Sequence, residues 1–156
     1  MKLMRQPWIW IGTAFAVFLF LRFLVFDISV VSGNSMLPGL PRGSIVLALR
    51  SPFAPRAEAG DLVMFRTGED RMVKRLLARG PAMVDWDDTR VRVNGKPVKI
   101  HDTAQPVPLP GNTFVGQNMV FLLGDNPRES IDSRSFGPLA EDALTGTVIF
   151  AFQPFW

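Results

Sequence analysis

Between Trp8 and Phe26 the chain reads WIWIGTAFAVFLFLRFLVF, 19 residues broken by one charge, Arg22. A helix of that length spans about 28 Å, close to the hydrocarbon thickness of a bilayer. The run is apolar on every side, so no polar face is left for water, as a surface helix of a soluble domain would need. Arg22 lies four residues from its end, within snorkelling reach of an interface, and Trp8 and Trp10 suit the opposite interface. Lys2 and Arg5 precede the span and Asp27 follows it. The positive-inside bias then predicts residues 1–7 in the cytoplasm, a single anchor over 8–26 and an extracytoplasmic domain over 27–156. A cleaved secretory signal is the competing reading. It would have a shorter core and a small-x-small cleavage site, whereas this span runs on into FDISVVSG. A buried helix of a soluble protein is a third.

Charge excludes one large class. Lys and Arg outnumber Asp and Glu 17 to 14, but three of the basic residues lie in the first 26. The remainder is balanced, with no basic patch by count, so nucleic acid is not an expected partner. There is no Cys and one His, His101, which removes disulfides and Cys/His zinc sites. Neither a metal nor a cofactor is expected.

Beyond Phe26 the period changes to two. SIVLALR (44–50), DLVMFR (61–66), MVKRLLAR (72–79), PAMVDW (81–86), NMVFLLG (118–124) and GTVIFAFQ (146–153) are strand-length runs bounded by Gly, Pro or charge. RVRVNGKPVKI (90–100) places Asn94-Gly95 between two arms, a type I′ hairpin signal. Residues 102–113, DTAQPVPLPGNT, read as loop, and the tail VIFAFQPFW as a core strand rather than an apolar rim. The expected fold is mainly β: a compact antiparallel β domain on a single N-terminal transmembrane helix.

Three stretches carry polar groups of interest. SGNSM (32–36) follows the anchor, and its Ser, Gly and Asn suit an ordinary turn as well as a nucleophile. A serine there needs a base. His101 sits beside the Pro-rich loop with nothing around it to mark it. Lys96 and Lys99 adjoin the hairpin turn and read as solvated. Lys74 differs, because alternation puts it on one face with Met72 and Leu76. Burial there would lower its pKa and make a neutral amine available. By periodicity alone, a lysine at a sheet edge with its head in water is equally open. The third stretch, GDNPRESIDSRSFGP (124–138), is either a solvated loop or a polar network, and its Asp132 and Arg134 are spaced for an ion pair.

Taken together, SGNSMLPGL (32–40), GDLVMFR (60–66), MVKRLLARGP (72–81) and GDNPRESIDSRSFGP (124–138), in this order behind an anchor, resemble the boxes of the bacterial type I signal peptidases. The resemblance runs from Trp8 to about Ala151. It implies a Ser-Lys serine endopeptidase of the cell membrane that removes signal peptides from exported preproteins, beside the secretion machinery. It implies Ser35 as nucleophile, Lys74 as general base, and Ser130, supported by Asp132 and Arg134, as the group that orients the lysine. The backbone at Ser35 and Gly33 would form the oxyanion hole. Val31, Ser32, Met36, Met72 and Val73 would line the path of an extended substrate. Gly33 stands where some members carry a second serine, Gly39 where Thr is common, and Pro127 where Arg is common. Only 50 residues separate Lys74 from Gly124, so the large extra β domain of some relatives is not expected. A relative dedicated to one substrate and a catalytically silent anchored module are the alternatives.

Overall fold

The computed structural model describes residues 7–68, 70–87, 90–98 and 111–153. The apolar run is helical: α1 spans Pro7–Phe20 and is continued by a π-helical turn, Leu21–Val25. No residue of either segment is buried, and Pro7–Val25 is long and apolar enough to cross a membrane. Its one mid-span hydroxyl, Thr13, donates to the Ile9 carbonyl at 2.8 Å, which leaves no free polar group on that turn. The helix ends one residue earlier than the hydropathy suggests. Phe26 opens strand β1 (Phe26–Val30), because its backbone pairs with Leu49.

The expected strands form with small shifts: β2 (Ile45–Arg50), β3 (Leu62–Thr67), β4 (Asp70–Arg79), β5 (Ala82–Trp86), β6 (Val91–Val93), β7 (Lys96–Val98), β9 (Met119–Leu123) and β11 (Leu144–Phe152). Asn94 and Gly95 both take positive φ, as the hairpin between β6 and β7 requires. The segment read as loop over 102–113 needs correction at its end. Residues 111–113 belong to β8 (Gly111–Val115), whose pairing with β5 overrides a weak local pattern. Lys99, His101 and the rest of that segment lie outside the described residues. β10 (Leu139–Ala140) and the one-turn α2 (Ser133–Phe136) complete the chain.

Two antiparallel sheets result. The larger has the order β1-β2-β11-β3-β4-β9-β10 and the smaller β7-β6-β5-β8. The small sheet is an excursion between β4 and β9, which are neighbours in the large one. At the crossing, Gly80 lets two backbones touch, since a Cβ there would collide with the Gly116 carbonyl. One cluster, with Val84, Val115 and Phe121, fills the space under the small sheet. A second, around Val63, Phe65, Leu76 and Leu122, lies along the centre of the large sheet. The third, Met36, Leu40 and Val46 with Val31, Leu62 and Val73 against them, lies beneath the SGNSM turn.

The large sheet is strongly curled. Three strands separate β1 from β4, so a flat sheet would hold them about 19 Å apart. Yet Arg71 of β4 donates to Asp27 of β1 at 2.9 Å. The gap between these two strands is therefore a cleft.

The tail corrects one expectation. Ile149, Phe150 and Phe152 of β11 are 47%, 60% and 48% exposed, so the strand gives the core only one face, through Val148 and Ala151. A bulge between Val148 and Phe150 changes which residues face inward. Phe150 lies opposite Leu47 and Phe152 opposite Ile45, while Ile28 and Val30 of β1 meet the same two residues from the other side. Three strands thus share one outward apolar face.

Candidate active site

The cleft between β1 and β4 holds a cavity of about 200 Å³. Val31, Ser32, Gly33, Ser35 and Met36 line one wall, and Met72, Val73 and Lys74 line the other. Every residue assigned to the substrate path from sequence therefore borders it, along with Ser35 and Lys74. Val46 and Met64 form its floor.

Ser35 is held from below and behind. Met36, 1% exposed, and Leu40, equally buried, pin the turn to the third core cluster, and the Leu40 N–H donates to the Met36 carbonyl at 2.7 Å. Burying each side chain contributes about 1.5–3 kcal/mol. The Asn126 N–H donates to the Ser35 carbonyl at 2.9 Å, and the Asn126 side chain donates to the Asn34 carbonyl at 3.1 Å. Asn34 in turn donates to Glu129 at 3.0 Å. The SGNSM turn is thus sewn to the 124–130 loop.

Lys74 is 3% exposed, which decides between the two sequence readings of it: this lysine is buried, not solvated. Its Nζ donates to the Ser130 Oγ at 3.0 Å. Loss of water around the ammonium pushes its pKa down from 10.5 to about 8. Asp132, and more weakly Asp125, pull it back up, while Arg134 opposes them.

Asp132 and Arg134 form the expected pair. Arg134 donates through Nε and Nη2 to the two carboxylate oxygens at 2.8 and 2.7 Å. Asp132, fully buried, also accepts the Gly124 N–H at 2.9 Å and caps α2 by accepting the Arg134 N–H. Its carboxylate therefore fixes the loop on either side of Ser130. Gly124 is a place of close approach. A Cβ there would collide with the Ser130 hydroxyl and come within 2.5 Å of the Ser35 carbonyl.

Two arrangements escaped the sequence reading. Arg75 donates to both oxygens of the buried Asp125 at 2.8 and 2.6 Å and to the Gly60 carbonyl at 2.7 Å, which joins three of the four boxes. This also explains Gly39, because a side chain there would meet the Asp125 carboxylate. Asn126, the other, ties its loop to the SGNSM turn through both its N–H and its side chain. A charged residue beside Lys74 and an Asp-Asn pair after a buried strand were the available signals, but their partners lie 50 and 92 residues away.

Residues 4–153 match the model of the family described as signal peptidase, peptidase S26. The chain belongs to the S26 signal peptidase family. It is 31% identical to signal peptidase I of Bacillus amyloliquefaciens, over 95% of this chain and 86% of that one. It is 27% identical to the chloroplastic thylakoidal processing peptidase 1 of Arabidopsis thaliana, over 91% of this chain and 46% of that protein. The signal peptidase I structure from Enterococcus faecalis shares the fold, with a TM-score of 0.52 at 22% identity, covering 60% of this chain and 97% of that one. This S26 family member is accordingly an enzyme of the signal-peptidase type, with a mainly antiparallel β domain and one N-terminal apolar helix.

Proposed function

We propose that this peptidase removes signal peptides from exported preproteins through a Ser35/Lys74 dyad. The observation that carries this reading is a buried lysine, bonded to Ser130, on the wall of the cleft that Ser35 also lines. A neutral Lys74 donates one N–H to Ser130, and this hydrogen bond directs the amine. Its lone pair then takes the Ser35 proton as Oγ attacks the scissile carbonyl. The resulting lysinium returns that proton to the leaving amine. Water attacks the acyl-enzyme in the second half, with Lys74 again as base. The backbone N–H of Ser35, and the backbone at Gly33, stabilise the oxyanion.

The substrate lies extended between residues 31–33 and 72–74, where main-chain groups of both walls supply strand-like hydrogen bonds. Val31, Ser32, Met36, Met72 and Val73 bound shallow pockets for small side chains.

The protein is anchored by the helix that ends at Val25, with 1–7 cytoplasmic and the catalytic domain from Phe26 onward extracytoplasmic. The outward apolar face of β1, β2 and β11 supports a domain seated on the lipid surface, since patches of this kind are rarely left to water. That seat brings the cleft to the level at which a signal peptide leaves the bilayer, beside the secretion machinery.

The test is cleavage of a preprotein in detergent micelles. The wild-type protein is expected to release the signal peptide and a folded Ser35→Ala variant to release none. Equal cleavage by both removes Ser35 as nucleophile.

A further inference from the structure

The end of the cleft away from Ser35 and Lys74 is closed by charge. Arg71 lines the cavity and donates through Nη1 to both oxygens of Asp27, at 3.1 and 2.9 Å. Asp27 is 8% exposed, and Arg50 also reaches it at 3.4 Å. Arg66 stands directly opposite Arg71 in the β3–β4 register, on the same face of the sheet. Asp70, the next residue on β4, falls on the opposite face by alternation. Two guanidinium groups, Arg71 and Arg50, therefore reach one carboxylate, and a third, Arg66, flanks Arg71 on the neighbouring strand. The Arg71 side chain is 41% exposed and open to the cleft, whereas Asp27 is 11% exposed and already bonded on both oxygens.

Arg71 precedes Lys74 by three residues on an extended strand, about 10 Å. A peptide lying extended beside β4 has the same rise. If its first residue before the cut sits at Lys74, a residue three places away along it sits at Arg71. The direction follows from Asp27, which comes directly after the helix and Phe26. The Arg71 end of the cleft is thus the end next to the bilayer, and the part of a substrate still emerging from lipid is the part before the cut.

We propose that Arg71, held in place by Asp27, forms the subsite for the fourth residue before the scissile bond and disfavours a basic side chain there. The proposal rests on the peptidase reading above. The ion pair ties β1 to β4, so the substrate backbone must rise over it. The side chain at that position then meets a local excess of positive charge.

The experiment uses the full-length protein in micelles and three preprotein substrates identical except for Lys, Gln or Glu at the fourth position before the cut. The wild type is expected to give kcat/KM about five- to tenfold higher for Glu than for Lys, the size expected for unit charges about 7 Å apart and screened nearly as in bulk water. Arg71→Gln is expected to shrink that ratio at least threefold, and Arg71→Lys to retain it. A purely structural role for the bridge would lower all three substrates together and leave the ratio untouched, and that result overturns the proposal. A second measurement needs no variant: raising the salt from about 0.05 to about 0.5 M should compress the wild-type ratio by screening. A ratio near one at low salt overturns the proposal without touching the peptidase reading, because cleavage itself is still seen. Failure of the wild type to cut any of the three substrates would sink both.

Discussion

The Lys74 Nζ lies 3.0 Å from the Ser130 Oγ, across 56 residues of sequence. This contact gives a desolvated amine one fixed partner and leaves its remaining valences for chemistry. The lysine comes from β4, which pairs with β3 at Lys74 itself, opposite Val63, and with β9 from Arg75 onward. The serine comes from a loop that Asp132 braces through Gly124 and Arg134.

Activity should follow the ionisation of that amine. The base works only when neutral, so kcat/KM should rise with pH and reach half its plateau near the lowered value of about 8. Lys74→Arg should abolish cleavage, because a guanidinium does not deprotonate in proteins. A rise centred near 6.5 that disappears in His101→Ala would assign the base to the histidine instead.

Stability carries the same signature. In the unfolded chain Lys74 keeps its proton up to about 10.5, while in the fold it loses it near 8. Between these values the unfolded chain binds more protons, so folding stability should rise with pH across this window, by about 3 kcal/mol at most. The chain has no Cys or Tyr, so few other side chains titrate there. Thermal melts of the wild type and Lys74→Met at pH 8 and pH 10 check it. The variant should lose the upward slope and should be the more stable of the two at pH 8.

Ser130→Ala removes the partner of the amine but no core contact. Turnover should drop on the order of 100-fold, the usual size of a mis-aimed catalytic group. The melting temperature should change little. Wild-type rates in this variant would refute the orienting role.

Gly124→Ala is the sharpest steric test. Its methyl group must displace either the Ser130 hydroxyl or the Ser35 carbonyl, and both belong to the site. Activity should fall at least 100-fold with a destabilisation of about 1–3 kcal/mol, as for overpacking. The same substitution at Gly33, where no atom lies within 4 Å of the new Cβ, should be far milder for stability.

Much of this was legible in the chain. The anchor and most strands announce themselves by period, and Asn94-Gly95 marks its turn through the positive φ that both residues adopt. The site residues were legible only as motifs. Whether Lys74 is buried or solvated is invisible in MVKRL, because burial is decided by β3, β9 and the 124–138 loop packing around it. β1 and β8 were missed for a related reason. FDISV looks like the end of a hydrophobic run, and GNTFV like the end of a Pro-rich one, until β2 and β5 pair with them. The outward turn of Phe150 and Phe152 depends on a bulge, which shifts the alternation of faces without a sequence signal. The curl that brings Asp27 to Arg71 belongs to the whole sheet and to no single strand.

The central claim is that Lys74 makes Ser35 a nucleophile. The most direct measurement is the intact mass of the protein after treatment with a serine-acylating probe, with the modified residue located by peptide mapping. The account predicts a single adduct on Ser35 in the wild type, forming faster as pH rises through about 8, and essentially none in folded Lys74→Met. Equal acylation of Ser35 in that variant, or an adduct confined to another serine, would contradict it.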